Sequence, residues 1–75
     1  MIYYVIQQPG SAPVFGEAPV PPTDETCPWR ALVNHVTSKH KIYISQIQQW
    51  SIDKDADLQC WFAAILIYSG AKVQS

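Results

Sequence analysis

The chain has 75 residues, a net charge of −1 at pH 7, 48% hydrophobic residues and only 15% charged residues. A chain of this length forms one domain with a thin core, and so small a net charge provides no overall attraction to nucleic acid or to anionic lipid. The composition excludes a disordered chain. It predicts a small domain with more apolar surface than it can bury alone, a surplus that association with another chain would cover.

The N-terminal part of the sequence divides into a strand and an irregular segment. Residues 2–8, IYYVIQQ, are β-branched and aromatic and precede Pro9 and Gly10, as is typical of a strand that ends in a turn. All six prolines fall between Pro9 and Pro28. We therefore expect residues 9–27 to form a proline-rich irregular strap over the core.

A first helix is predicted after the strap. Thr26, Cys27 and Pro28 are typical of a helix start, since proline is favoured in the first turn. An apolar residue then recurs with helical spacing, at Trp29, Leu32, Val33 and Val36. This spacing predicts a helix over residues 28–38.

A second helix is predicted near the C-terminus, because residues 58–71 carry no charged side chain. Asp55 and Asp57 suit the positive end of a helix dipole and Gly70 is a typical stop, so the helix is placed at residues 54–69. At 100° per residue it would be apolar on both faces. A chain of this size has too little material to cover both faces, and one of them is expected to contact another chain.

Residues 42–50 fit either a strand or a helix. The letters IYIS alternate as in a strand, whereas Tyr43, Ile47 and Trp50 follow helical spacing. The pattern leaves both open, with a slight preference for a helix. The predicted fold is therefore α+β, with one domain over residues 1–75 built from a strand (1–8), the strap (9–27) and a helical core (28–70) of two to three helices.

No combination of side chains is typical of a catalytic or metal site. Asp53, Asp55 and Asp57 match the first three ligands of a calcium loop, but the glycine and the glutamate that such a loop needs are absent. The side chains that could bind zinc have no C-x-x-C pair, and they are Cys27, His35, His40 and Cys60. We expect reduced thiols, no catalytic residue, no metal, no cofactor and no small-molecule substrate.

The basic segment between the predicted helices supports an alternative function. Residues 37–50, TSKHKIYISQIQQW, resemble the turn and recognition helix of the helix-turn-helix repressors, although the glycine usual in the turn is absent. The resemblance implies DNA binding, with glutamine side chains at base edges and lysines at phosphates. The residues that this alternative places on DNA are Arg30, Lys39, Lys41, Ser45, Gln46 and Gln49.

The leading hypothesis is a non-enzymatic protein-interaction module. It would bind a larger protein or a second copy of itself through the C-terminal helix, with aromatic residues as anchors and small residues allowing close approach. The predicted interface residues are Trp50, Cys60, Trp61, Phe62, Ala64, Ile67 and Tyr68. An inhibitor or adaptor carried by a phage or a mobile element would fit this size.

The expected location is the cytoplasm. The opening residues MIYYVIQQ lack the basic leader, the long apolar core and the cleavage site of a signal peptide. The uncharged stretch also falls short of the roughly 18 apolar residues that a membrane span requires. No membrane association is therefore expected.

Overall fold

The computed structural model describes residues 1–20 and 28–74. Within them, four strands form one mixed sheet and a single α-helix packs against one of its faces. The elements are β1 (Ile2–Gln7), β2 (Val14–Ala18), α1 (Trp29–His40), a 3₁₀ turn (Ile44–Gln46), β3 (Ile47–Asp55) and β4 (Cys60–Ile67).

The sheet has the strand order β2-β1-β4-β3. The first two strands form an antiparallel hairpin, and the last two form another. The hairpins join through the central strands β1 and β4, which run parallel. The longer edge strand, β3, contains a register irregularity between Ile47 and Gln49.

The predicted multi-helix fold is wrong, because the uncharged stretch forms a central strand and not a helix. Cys60–Ile67 is β4, which is hydrogen-bonded to β1 on one side and to β3 on the other. A strand in the middle of a sheet can be apolar on both faces, and a short apolar run has no periodicity that separates it from a buried helix. The absence of charge that indicated a two-faced helix therefore reflects a central position in the sheet.

The acidic residues before β4 build a turn instead of a helix start. One carboxylate oxygen of Asp55 accepts the backbone N–H groups of Asp57 and Leu58, both at 3.0 Å. Gln59 then adopts the left-handed conformation with φ of 54°. Asp and Asn side chains favour such local hydrogen bonds to the backbone, which stabilise chain reversals. Here the bonds stabilise the turn that connects β3 to β4.

Two further predictions are wrong in part. The segment 42–50, for which a helix was slightly preferred, contains only the three-residue 3₁₀ turn before it enters β3. The segment 9–27, predicted to be irregular throughout, contains strand β2. The predicted N-terminal strand and first helix are present, as β1 and α1. The predicted helix cap at Thr26 and Cys27 lies outside the described residues.

The core lies between α1 and one face of the sheet. Alternate residues of the two central strands point toward the helix, and Leu32 and Val36 of α1 are fully buried against them. At the helix start, Trp29 stacks on Trp50 of β3 with ring centroids 4.0 Å apart and planes within 8°. The buried strand residues of this face are Ile2, Tyr4, Ile6, Ala18, Ala63, Ile65 and Ile67.

A buried hydrogen-bond network connects the sheet, the helix end and the C-terminal tail. The Tyr4 hydroxyl lies 2.7 Å from Nε2 of His40, and Nδ1 of His40 lies 2.8 Å from the carbonyl oxygen of Gln74. Because a carbonyl can only accept, Nδ1 carries a proton, and in the neutral ring Nε2 then accepts from the Tyr4 hydroxyl. Burial raises the pKa of the Tyr4 hydroxyl above its ordinary value of 10.0.

Gly16 gives the Tyr4 ring the space that it needs. The two residues are opposite each other in the β1–β2 pair. A Cβ atom on Gly16 would overlap the Tyr4 hydroxyl and lie 3.0 Å from its Cε1 atom. A side chain at this position would therefore displace the ring from His40.

Gly16→Ala is expected to lower the free energy of unfolding by about 1–3 kcal/mol, the usual cost of overpacking a core. Urea denaturation measures the change. Gly70→Ala is the matched control, because no atom lies within 4 Å of a Cβ placed at Gly70, and it should be close to neutral. Equal effects of the two substitutions would show that Tyr4 does not need this space.

Tyr4 should also make stability depend on pH in the alkaline range. Above pH 10.0, the ordinary pKa of tyrosine, the unfolded chain releases the Tyr4 proton while the folded chain retains it. The free energy of unfolding should therefore fall as the pH rises further. Tyr4→Phe should be less stable at pH 8 by about 1–3 kcal/mol, since His40 loses its donor, but should lose stability less steeply up to pH 11. The free energy of unfolding of both proteins would be measured by denaturant titration at each pH. An equally steep fall in the two proteins would show that Tyr4 does not cause the pH dependence.

Candidate functional site

The face of the sheet opposite α1 carries exposed aromatic side chains. Tyr3, Phe15 and Phe62 project from three adjacent strands and are 41%, 74% and 45% exposed. They share this side of the sheet because successive strand residues point to opposite faces and their strand neighbours point to the core. We call this surface the open face. Contiguous exposed aromatic residues on a small domain are typical of a contact surface.

The register of the four strands places an acid at each end of an aromatic pair. Glu17 is opposite Tyr3, Tyr3 is opposite Phe62, and Phe62 is opposite Asp53. We call these four residues the acid-flanked row. The next row along the strands is small and apolar in its centre, and it contains Phe15, Val5, Ala64 and Ser51.

A shallow groove of about 560 Å³ crosses β2, β1 and β4 on this side. The rings of Tyr3 and Phe62 line it, with centroids 5.9 Å apart and planes inclined by 30°. Phe15 and Val5 continue the apolar lining, and Glu17 is the one charged side chain that lines it. The groove is therefore apolar, open to solvent and acidic at one end.

The basic side chains of the helix and of the described strands lie away from the open face. Arg30 and Lys39 are on α1, and Lys41 is at its C-terminal end. Lys54 of β3 points to the helix side, where its Nζ lies 5.9 Å from the ring centroid of Trp61. Of the strand residues on the side of the open face, three carry charge and all are acidic: Glu17, Asp53 and, at the end of β3, Asp55, whose carboxylate accepts the turn N–H groups. The open face is thus apolar in the middle and negative at its edges.

The residues predicted to form an interface are distributed over several environments. Phe62 and Ala64 lie on the open face, whereas Trp50 and Trp61 lie on the helix side. Tyr68 is exposed just after β4, where its carbonyl oxygen accepts a bond from Nε2 of Gln8 at 3.0 Å. The remaining two predicted residues, Cys60 and Ile67, are buried.

Sequence reasoning missed the β1 and β2 residues of the open face. Tyr3 and Val5 alternate with buried residues in IYYVIQQ, and this alternation could have assigned them to a second, uncovered face. Phe15 and Glu17 have the same alternation in β2. That signal is weaker, because the strand has only five residues and was assigned to the proline-rich strap.

The residues assigned to DNA by the helix-turn-helix resemblance are not gathered on a recognition helix. Arg30 and Lys39 are on α1, while Lys41 ends that helix in the left-handed conformation. Ser45 lies in the 3₁₀ turn together with Gln46, whose Oε1 accepts the Tyr43 backbone N–H at 2.8 Å. Gln49 lies in edge strand β3. The helical geometry that the resemblance implies is replaced by a turn and a strand.

The described residues give few positions for chemistry. Among them, no group of three or more His, Cys, Asp or Glu residues could hold a metal ion. Cys60 is a buried free thiol, and the His40 ring nitrogens are both within hydrogen-bond distance of neighbours. In the same part of the chain, no helix has both the length and the apolar character to cross a membrane.

Comparisons of the chain with protein-family models, with curated proteins and with solved structures find no significant match. Function is therefore inferred from the chemistry and geometry of the open face.

Proposed function

We propose that this protein is a non-enzymatic protein-interaction module whose contact surface is the open face of the sheet. The observation that carries the proposal is the set of exposed aromatic side chains, Tyr3, Phe15 and Phe62, on a face that α1 does not cover. Aromatic residues dominate the energetics of protein interfaces when they enter desolvated pockets. The open face supplies three of them around one groove.

The physical reason for association is the apolar area that folding leaves in water. Complete burial of a phenylalanine side chain contributes about 1.5–3 kcal/mol. Phe15 is 74% exposed and Phe62 is 45% exposed, so much of that free energy is still available to a partner. A docked chain would also cover Val5 and Ala64, which follow Phe15 in the second row.

The charge of the open face favours a protein over a nucleic acid. Aromatic residues on a sheet can also stack on unpaired bases, but such platforms combine them with cationic side chains that meet the phosphates. Here the charged residues at the edges are acidic, Glu17 on β2 and Asp53 and Asp55 on β3. They would repel a phosphate backbone, whereas a protein can present complementary charge.

The same charges favour a different protein over a second copy. Two open faces packed against each other would bring acidic edges toward acidic edges, and like charges across an interface oppose association. The basic residues of α1 and its end, together with Lys54 of β3, lie on the other side of the sheet. The occupant that we propose is therefore a distinct protein chain.

Phe15→Ala should weaken binding of the partner by at least tenfold, as expected for an aromatic anchor. Tyr43→Ala is the matched control, because Tyr43 is also 74% exposed but lies before the 3₁₀ turn, outside the open face. The partner would be isolated with the wild-type chain, purified, and titrated with each variant by calorimetry. Since Phe15 is largely in water, its substitution should leave the unfolding transition nearly unchanged. Equal affinities of the two variants would contradict the proposal, even if a partner is captured.

The isolated chain should be monomeric at micromolar concentration, because the proposed occupant is not a second copy. Sedimentation equilibrium measures the mass. If the chain instead forms a dimer, Phe15→Ser and Tyr43→Ser locate its interface. Dissociation by Phe15→Ser alone would show that the open face joins two copies, and a second copy would then replace the proposed partner.

A further inference from the structure

We infer that the open face selects a partner segment that is apolar in its centre and carries a cationic side chain at each end. The inference rests on the proposed function, because it names the chemistry of the chain that the open face would bind. It is carried by the acid-flanked row, in which Glu17, Tyr3, Phe62 and Asp53 follow one another across the four strands.

The spacing of the two acidic positions in the row matches an extended peptide. Neighbouring strands lie about 4.8 Å apart, so the two acidic positions, three strand spacings from each other, are about 14 Å apart. In an extended peptide, residues one and five point to the same side and lie about 13 Å apart, because each residue advances by about 3.3 Å. Two cations separated by three residues in an extended segment therefore match the two carboxylates of the row.

The surface between the two acids is aromatic. Tyr3 and Phe62 present adjacent rings at 5.9 Å, and ring faces attract cations as well as apolar groups. Glu17 lines the same groove as these rings. A lysine or arginine that reaches Glu17 thus lays its aliphatic stem on aromatic carbon and places its charge at the carboxylate.

The described strands place no cationic side chain on the open face. Among the described strand residues, Lys54 is the one basic side chain, and it lies on the helix side near Trp61. The acidic edges are therefore not neutralised by cationic side chains of the open face itself. They remain available to attract a cationic segment and to repel an anionic one.

The test uses the isotope-labelled full chain and two blocked pentapeptides, with amide chemical shifts as the readout. One peptide has three leucines between two lysines, and the control has three leucines between two glutamates. We expect the lysine peptide to bind at least fivefold more tightly, with the largest shifts at Tyr3 and Phe62. The difference should shrink at 0.5 M salt, because exposed charges are then screened.

Variants that remove one negative charge test whether the acid-flanked row causes the preference for the lysine peptide. Glu17→Gln and Asp53→Asn should each lower the affinity for the lysine peptide by about two- to fivefold, the range of an exposed ion pair. Asp57→Asn, which removes the same charge from the exposed β3–β4 turn, should leave its affinity unchanged. Equal weakening by all three variants would show a nonspecific charge effect and would overturn the inference.

The remaining outcomes separate this inference from the proposed function. If both peptides bind equally and Phe15→Ala weakens both, the open face docks apolar segments without charge selection, so the inference fails and the proposed function stands. If neither peptide shifts open-face amides, the inference fails. If the lysine peptide shifts residues of α1 instead, both the inference and the choice of the open face fail.

Discussion

The parallel pairing of β1 with β4 is the constraint on which the rest of the structure depends. It joins residues that are far apart in sequence, such as Ile2 with Trp61 and Ile6 with Ile65. A two-stranded hairpin is marginally stable in water, and three or more strands with an apolar face are needed for independent stability. Only the central pairing combines the two hairpins into such a sheet. Because β1 is parallel to β4, Tyr3 comes to lie beside Phe62, and the acid-flanked row exists only in that register.

One helix can cover only one face of a four-stranded sheet. Helix α1 has twelve residues and buries the side that contains Ile2, Tyr4 and Ile65. The other side must meet either water or another chain, yet its central residues are aromatic and apolar. Sheets with one covered face usually alternate between hydrophobic and polar residues. The open face departs from this rule at its centre and at Phe15 of edge strand β2, and follows it at the other edge positions, Glu17, Ser51 and Asp53.

The sequence patterns predicted β1 and α1 correctly, because each pattern is typical of one kind of element. IYYVIQQ before proline and glycine is typical of a strand, and Trp29, Leu32 and Val36 recur with helical spacing. The stretch around Cys60–Ile67 was assigned to a helix, because a run without charge has no period and its position in the sheet depends on a distant partner, β1. Asp55 and Asp57 favoured that helix, but Asp55 bonds the turn backbone instead.

The sequence predictions agree with the candidate site only where β4 contributes to it. Phe62 and Ala64 were selected for their apolar character and do lie on the open face. Tyr3 and Glu17 become neighbours of that pair only through strand register, which no local pattern reveals. The surplus of apolar residues did indicate a contact surface, but the geometry of that surface depends on pairing across the whole chain.

The two sheet edges are protected from uncontrolled association by different means. β2 is short and is bounded by Pro13 and Pro19, which cannot donate to a further strand. β3 has nine residues and an uncharged first half, the kind of edge along which sheets polymerise. Its irregularity near Ile47 interrupts a regular ladder, and the charges from Asp53 onward oppose further strand addition. The protein can therefore expose the apolar open face to water while the edges of its sheet resist aggregation.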